Sequence, residues 1–143
     1  MNDFSVSVAK IAQILDLKNF TDNIDLKKIK ITSSDVNRPA LQLTGYFAHF
    51  EQSRIQMIGN VEYAYIQQMS DEEKRIRYSA FLQFEIPCVI FCRDLQPDAI
   101  FIEQAEKNHV PILGTSRPTS EFMAELIYTL AEKLAPSITV HGV

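Results

Sequence analysis

Between Thr32 and Phe50 the chain reads TSSDVNRPALQLTGYFAHF, with Ser33, Ser34, Asp35, Asn37 and Arg38 crowded into one short turn. A buried scaffold has no use for so many polar groups together, because each must find a hydrogen-bond partner or stay wet. Two chemistries fit these residue types. Asp35 and Arg38 can pair across a tight bend as a structural salt bridge. Alternatively, Asp35, Asn37 and Arg38 can face outward and read a polar metabolite through charge and directed hydrogen bonds. Loops of this kind are where sites are built on an otherwise regular scaffold.

The remaining candidates are sparser. His49, His109 and His141 stand far apart in the chain, without partners at metal-ligand spacing, so no metal site is expected. Cys88 and Cys92 lie on the apolar run Ile86 to Cys92. In an extended strand they stand ~13 Å apart at ~3.3 Å per residue, beyond the ~7 Å that a disulfide spans. They read as reduced, mostly buried packing residues rather than nucleophiles. Gly114-Thr115-Ser116, between a strand and a helix, has the general form of an anion site, though such residues also serve simply as helix caps. No G-x-x-x-x-G-K-[ST] occurs, so no cradle for nucleotide phosphates is expected.

The elements that position these residues alternate. Ser7 caps a helix carrying Val8, Ile11, Ala12 and Leu15 at helical spacing and ending near Leu17. Its sequence would suit the first helix of a helix-turn-helix, but Lys27 to Thr32 follows as an alternating run and reads as a strand. Gly45 to Phe50 reads as an aromatic strand entering a core, and Arg54 to Gly59 as another. Asn60 is expected to cap a helix from Val61 to Met69. Ser70 and Glu73 match a capping box, with Asp71, Glu72 and Glu73 in the first turn, where the helix dipole favours acids. Ile86 to Cys92 has no alternation, which suits a strand covered on both faces. Pro97-Asp98 opens a helix through Asn108, Val110 to Leu113 is a short strand, and Thr119 is expected to cap a long helix with Phe122, Leu126, Leu130 and Leu134 on its apolar stripe. Pro136 ends that helix before a β-prone run from Ser137 to Val143. The order predicts one α/β domain, a mainly parallel or mixed central sheet flanked by helices.

Ser34-Asp35, Arg38-Pro39, Leu41, Leu43, Gly45 and Phe47 fit the pattern SD-x-x-RP-x-L-x-L-x-G-x-F, and a later Glu132-to-Pro136 run and a terminal Val140-His141-Gly142-Val143 follow in order. In these features the chain resembles the N-terminal half of bacterial HPr kinase/phosphorylase. The resemblance implies an N-terminal domain over residues 1–135, with residues 136–143 starting a strand into a C-terminal kinase domain. It implies a parent enzyme that phosphorylates a serine of HPr, the phosphocarrier of the sugar phosphotransferase system, using ATP or pyrophosphate, and removes it by phosphorolysis. Such enzymes act in carbon catabolite repression and assemble as homohexamers. By the same resemblance His141 belongs to the catalytic site of the full-length enzyme, while ATP and Mg2+ are expected for the kinase half and no cofactor for this one. The family's N-terminal domain also resembles the substrate domain of the Mur ligases, which carry an Asp-Ser-Arg turn. Here Asp35 and Arg38 stand one residue further apart without the intervening serine, which argues against a shared uridine-nucleotide ligand.

Composition narrows the partners. A chain of 143 residues, 46% hydrophobic and 22% charged, falls in the single-domain range. A net charge of -4, with no basic cluster longer than the run around Lys27, Lys28 and Lys30, lacks the basic face that nucleic acid requires. No stretch approaches the ~20 apolar residues of a membrane span, and the first residues do not form a signal peptide, so a cytoplasmic protein is expected. The leading expectation is a non-catalytic regulatory or assembly domain. The alternatives are a metabolite sensor, marked by a concave polar pocket beside Arg38, and an interaction module, marked by an apolar patch near Phe47 or Tyr65.

Overall fold

Apolar side chains face both ways along the strands, and the fold answers by covering the sheet on both sides. The computed structural model describes residues 4–136. Four strands, β4 (Val36–Asn37), β5 (Ile55–Ile58), β6 (Val89–Phe91) and β7 (Ile112–Gly114), run parallel, each beside the next in sequence. An antiparallel strand, β2 (Lys18–Asn19), closes the β7 edge and makes the sheet mixed, in the order β2-β7-β6-β5-β4.

The period-two alternation of the strands sorts the core into two layers. Ile55, Met57, Cys88, Ile90, Cys92 and Leu113 pack with Val8 and Ile11 of α1 (Val8–Ile14) and with Phe122, Leu126 and Leu130 of α6 (Thr119–Leu134). Ile58, Val89, Phe91 and Ile112 face the other way, onto α2 (Ala40–Leu43), α3 (Asn60–Gln67), α4 (Asp71–Leu82) and α5 (Ala99–Lys107). Burial on both faces is why Ile86 to Cys92 shows no alternation in sequence.

The caps follow local chemistry. Ser7 Oγ accepts from Lys10 N at 3.0 Å, Ser70 Oγ from Glu73 N at 3.1 Å, and Asp98 Oδ1 from Phe101 N at 2.8 Å, each satisfying a donor that the first helical turn leaves open.

Four expectations are corrected. Lys27 to Thr32 is not one strand: Asp25 caps a 3-10 turn, Leu26–Lys28, and only β3 (Lys30–Ile31) joins a sheet, pairing with β1 (Val6–Ser7) in a separate two-stranded one. Gly45 to Phe50 is not a strand. Gly45, at φ 95°, ends α2 in the left-handed conformation that glycine adopts freely. Phe47 and Phe50 then turn onto Phe84, with ring centroids 5.0 and 5.2 Å away, so their aromatic content serves a packed turn. Helix α1 ends at Ile14, where Leu17 N donates to Ala12 O and Asp16 sits at φ 54°. Helix α3 starts one residue earlier than expected, with Gly59 rather than Asn60 at the cap. The run from Ser137 to Val143, including His141, lies outside the described residues.

Candidate functional site

The carboxyl ends of the four parallel strands deliver Arg38, Gly59, Cys92 and the loop Thr115 to Thr119 to one edge of the sheet. In open α/β sheets that edge is where ligands bind. The polar turn enters it through β4, and its residues part company there. Asp35 and Arg38 do not pair. Val36 and Asn37 between them are extended, and residues three apart on a strand point to opposite faces.

Each of the three sequence candidates finds its own partner. Asp35 is exposed and lies 3.6 Å from Arg54, which also holds Glu51 at 2.6 Å. Asn37 turns inward, donating through Nδ2 to Gln56 Oε1 at 2.6 Å and to Gln42 Oε1 at 3.1 Å. Gln56 is fully buried, and its own Nε2 donates to Arg54 O at 2.9 Å. Asn37 therefore ties β4, α2 and β5 together through buried amides. Arg38 reaches across to Glu62 on α3, with Nη2 to Oε1 at 2.6 Å.

Glu62 is the functional-edge residue that sequence reasoning missed. Its carboxylate is 3% exposed and accepts both from Arg38 and from Gly59 N at 2.9 Å, so one acid caps α3 and anchors the polar turn. The signal was present as an acid three residues after Gly59, the spacing of a capping box.

Gly59 lies between Arg38 and Thr119. A methyl group there would stand 2.8 Å from Arg38 Nη2 and 2.6 Å from Thr119 Oγ1. Thr119 does not cap α6. Pro118, with φ -59° and ψ 145°, takes the cap position and makes no side-chain bond, leaving Thr119 as the first helical residue. Its buried hydroxyl faces the Cys92 thiol, and among the described residues the buried Nε of Arg38 has no hydrogen-bond partner.

Cys92 lies beneath the same edge, and burial pushes its thiol up to about 11, with Thr119, Arg38 and Arg93 drawing it down and Glu62 raising it. Burial alone pushes Cys88, at the other end of β6, up to about 12. Both thiols stay protonated at neutral pH and serve as packing, as their sequence context suggests. After Cys92 the backbone is strained, since Arg93 and Asp94 have φ 60° and 57°, and the turn is held by Arg93 N to Arg117 O and Asp94 N to Thr115 O, both 3.0 Å.

Gly114-Thr115-Ser116 lines a separate small cavity of about 150 Å³, shared with Asp16, Lys18 and Asp94. Thr115 Oγ1 accepts from Arg117 N at 3.3 Å, and the two carboxylates oppose an anion there. Among the described residues no group of three His, Cys, Asp or Glu side chains comes together to hold a metal ion. The carboxyl edge is thus equipped to hold parts of the protein in register, through Arg38, Glu62 and Asn37.

An open mixed sheet with helices on both faces, whose carboxyl edge is closed by its own ion pair and amides, defines an α/β domain. Residues 6–130 match the family model described as HPr Serine kinase N terminus, and the chain belongs to that family. It is 44% identical over 140 residues to the HPr kinase/phosphorylase of Lachnoclostridium phytofermentans, covering 98% of this chain and 45% of that protein. The HPr kinase/phosphorylase of Clostridium botulinum strain Eklund 17B is 38% identical over 97% of this chain, and that of Caldanaerobacter subterraneus subsp. tengcongensis 41% identical over 96%. The chain spans about half the length of these relatives, 45% in each case, and corresponds to their N-terminal region.

The fold is also similar to a crystal structure of the CBS and DRTGG domains of the regulatory region of Clostridium perfringens pyrophosphatase, solved with its activator diadenosine tetraphosphate. That match has a TM-score of 0.58 at 18% identity and covers 87% of this chain and 46% of that one. It is a likeness of fold. Among the described residues no helix is long and apolar enough to cross a membrane.

Proposed function

We propose that this chain is the N-terminal domain of a bifunctional HPr kinase/phosphorylase and that it serves regulation or assembly of the enzyme rather than its chemistry. The observation that carries the reading is the match over residues 6–130 to the HPr Serine kinase N terminus family. In this reading the phosphocarrier HPr is the substrate of the whole enzyme, ATP or pyrophosphate with Mg2+ is used by the kinase half, and the enzyme is a cytoplasmic homohexamer. His141 belongs to the catalytic site only in the full-length protein.

The test compares the chain alone with the chain joined to a kinase half, assaying phosphate transfer to HPr. The joined protein transfers phosphate; the chain alone, without a Walker A loop, does not. His141→Ala in the joined protein lowers both kinase and phosphorylase rates by ~10- to 1000-fold, the usual cost of a polar contact made in the transition state. Transfer by the chain alone would overturn the reading, and unchanged rates in the His141 variant would remove that residue from it.

A second reading, an interaction module beside the polar turn, is favoured by the exposed apolar side chains there. Leu41 on α2, Tyr46 after it, and Val61 and Tyr65 on the adjoining α3 are 59%, 52%, 70% and 38% exposed. Metabolite sensing by Asp35, Asn37 and Arg38 together has less support, because the three point to different partners.

A further inference from the structure

The opposite edge of the sheet, where the parallel strands begin, holds a cavity that plays no part in the readings above. It encloses about 590 Å³ between the 3-10 turn, the segment before β5, the segment before β6 and the end of α5. Small-molecule pockets commonly occupy ~300–1,000 Å³. Ile29, Ile86, Pro87 and Val110 give it apolar walls. Lys28, Lys30 and His109 bring positive or protonatable groups to it, with the Asn108 amide beside them.

Two further observations bear on this cavity. Among the described residues, neither Lys28 nor Lys30 forms an ion pair, although the chain as a whole is acidic. His109 occupies the position where a helix end calls for glycine. His109 N donates to Glu106 O at 3.2 Å and Val110 N to Ala105 O at 2.9 Å, the paired bonds that close a helix through a left-handed residue, and His109 sits at φ 59°. The equivalent position after α2 is Gly45, which adopts this conformation without strain. An imidazole held there at a conformational cost, on the wall of an open cavity, points to a use for the side chain.

We propose that this cavity binds a small phosphomonoester, with its phosphate held by Lys28, Lys30 and His109 and its organic part against Ile29, Ile86, Pro87 and Val110. Lysine ammonium groups act as mobile point charges suited to a tetrahedral dianion, whereas a planar carboxylate is matched better by an arginine fork, which the cavity lacks. Glu85, the one carboxylate on the lining, limits the affinity for anions.

The test is an amide chemical-shift titration of the full chain with phenyl phosphate and, separately, inorganic phosphate. Phenyl phosphate gives saturable shifts at Lys30, Ser53, Ile86 and Val110, with at least ~10-fold tighter binding than inorganic phosphate because its ring covers the apolar walls. Lys28→Ala with Lys30→Ala weakens that binding by ~10-fold or more and leaves the melting temperature in place, as both side chains are exposed. His109→Gly raises the melting temperature by about 3–5 °C through relief of the left-handed strain, yet weakens binding. Glu85→Gln tightens it.

The proposal is overturned if phenyl phosphate binds no better than inorganic phosphate, or if its shifts scatter over surface lysines elsewhere. It is also overturned if the lysine double variant, shown folded by its unchanged melting, binds as tightly as the wild type. A His109→Gly chain that is more stable and binds equally well would show that His109 is only a helix end.

Discussion

The two edges of the sheet are built to opposite plans. At the carboxyl edge Arg38, Glu62, Gly59 and Thr119 are packed together and Asn37 is spent on buried amides, so the place where open α/β sheets usually take a ligand is occupied by the protein itself. At the amino edge the backbone parts around about 590 Å³, and among the described residues Lys28 and Lys30 there form no ion pair. A crowded edge transmits force between elements, whereas an open one admits something from outside. Fold alone would have put the binding site at the first. The open cavity and the lysines on its lining put it at the second.

Arg38→Ala should break the closed edge most severely. It strands the buried Glu62 carboxylate, and because Arg38 itself is about a third exposed the loss is expected at about 2–4 kcal/mol, below the full cost of splitting a wholly buried pair. Chemical denaturation checks it, and a midpoint within error of the wild type would mean that water screens the pair and the edge is looser than described. Gly59→Ala tests the crowding by adding a methyl group rather than removing a charge. With Thr119 Oγ1 2.6 Å and Arg38 Nη2 2.8 Å from the new carbon, overpacking should cost about 1–3 kcal/mol. A neutral result would show that Arg38 swings away freely.

The two thiols sharpen the same comparison as chemically identical reporters at opposite ends of β6. Cys92, pushed up to about 11, has arginines and the Thr119 hydroxyl to favour its thiolate, while Cys88, pushed up to about 12, has burial alone. Both folded values exceed the ordinary thiol value of 9.0, so the native state holds protons that the unfolded chain has released. The stability they contribute is complete below about pH 9 and declines as the pH rises towards 11 and 12, by about 1 kcal/mol per thiol per pH unit. Alkylation at pH 9, followed by peptide mass, should find Cys92 modified ahead of Cys88. The reverse order would mean that the open cavity lets solvent reach the start of β6.

Much of this architecture is legible in the sequence, and the failures share a cause. Ser7, Ser70 and Asp98 declare their helices because a cap is a local interaction, complete within three residues. The buried run from Ile86 to Cys92 is equally plain, since burial on both faces leaves its mark on composition. The Asp35–Arg38 pair fails because adjacency in sequence suggests a bend, whereas their actual partners, Arg54 and Glu62, lie outside the turn. Phe47 and Phe50 look like strand residues until Phe84, far along the chain, supplies the surface they pack on. The amino-edge cavity left no motif at all. Its lining comes from four separate segments, and only the sheet brings them together.

Strand β2 has a consequence for how the chain is made. From β4 onward each strand pairs with the next, so this part can assemble in the order of synthesis. The first segment cannot. Its strand β2 pairs with β7, and Thr21 Oγ1 accepts from Ile112 N across 91 positions. At ~5–20 residues per second, Thr21 waits about 5–20 s for Ile112 to be translated. Until then Val8, Ile11 and Ile31 have no α6 to cover them, and a nascent chain halted before β7 should be the species that chaperones hold longest.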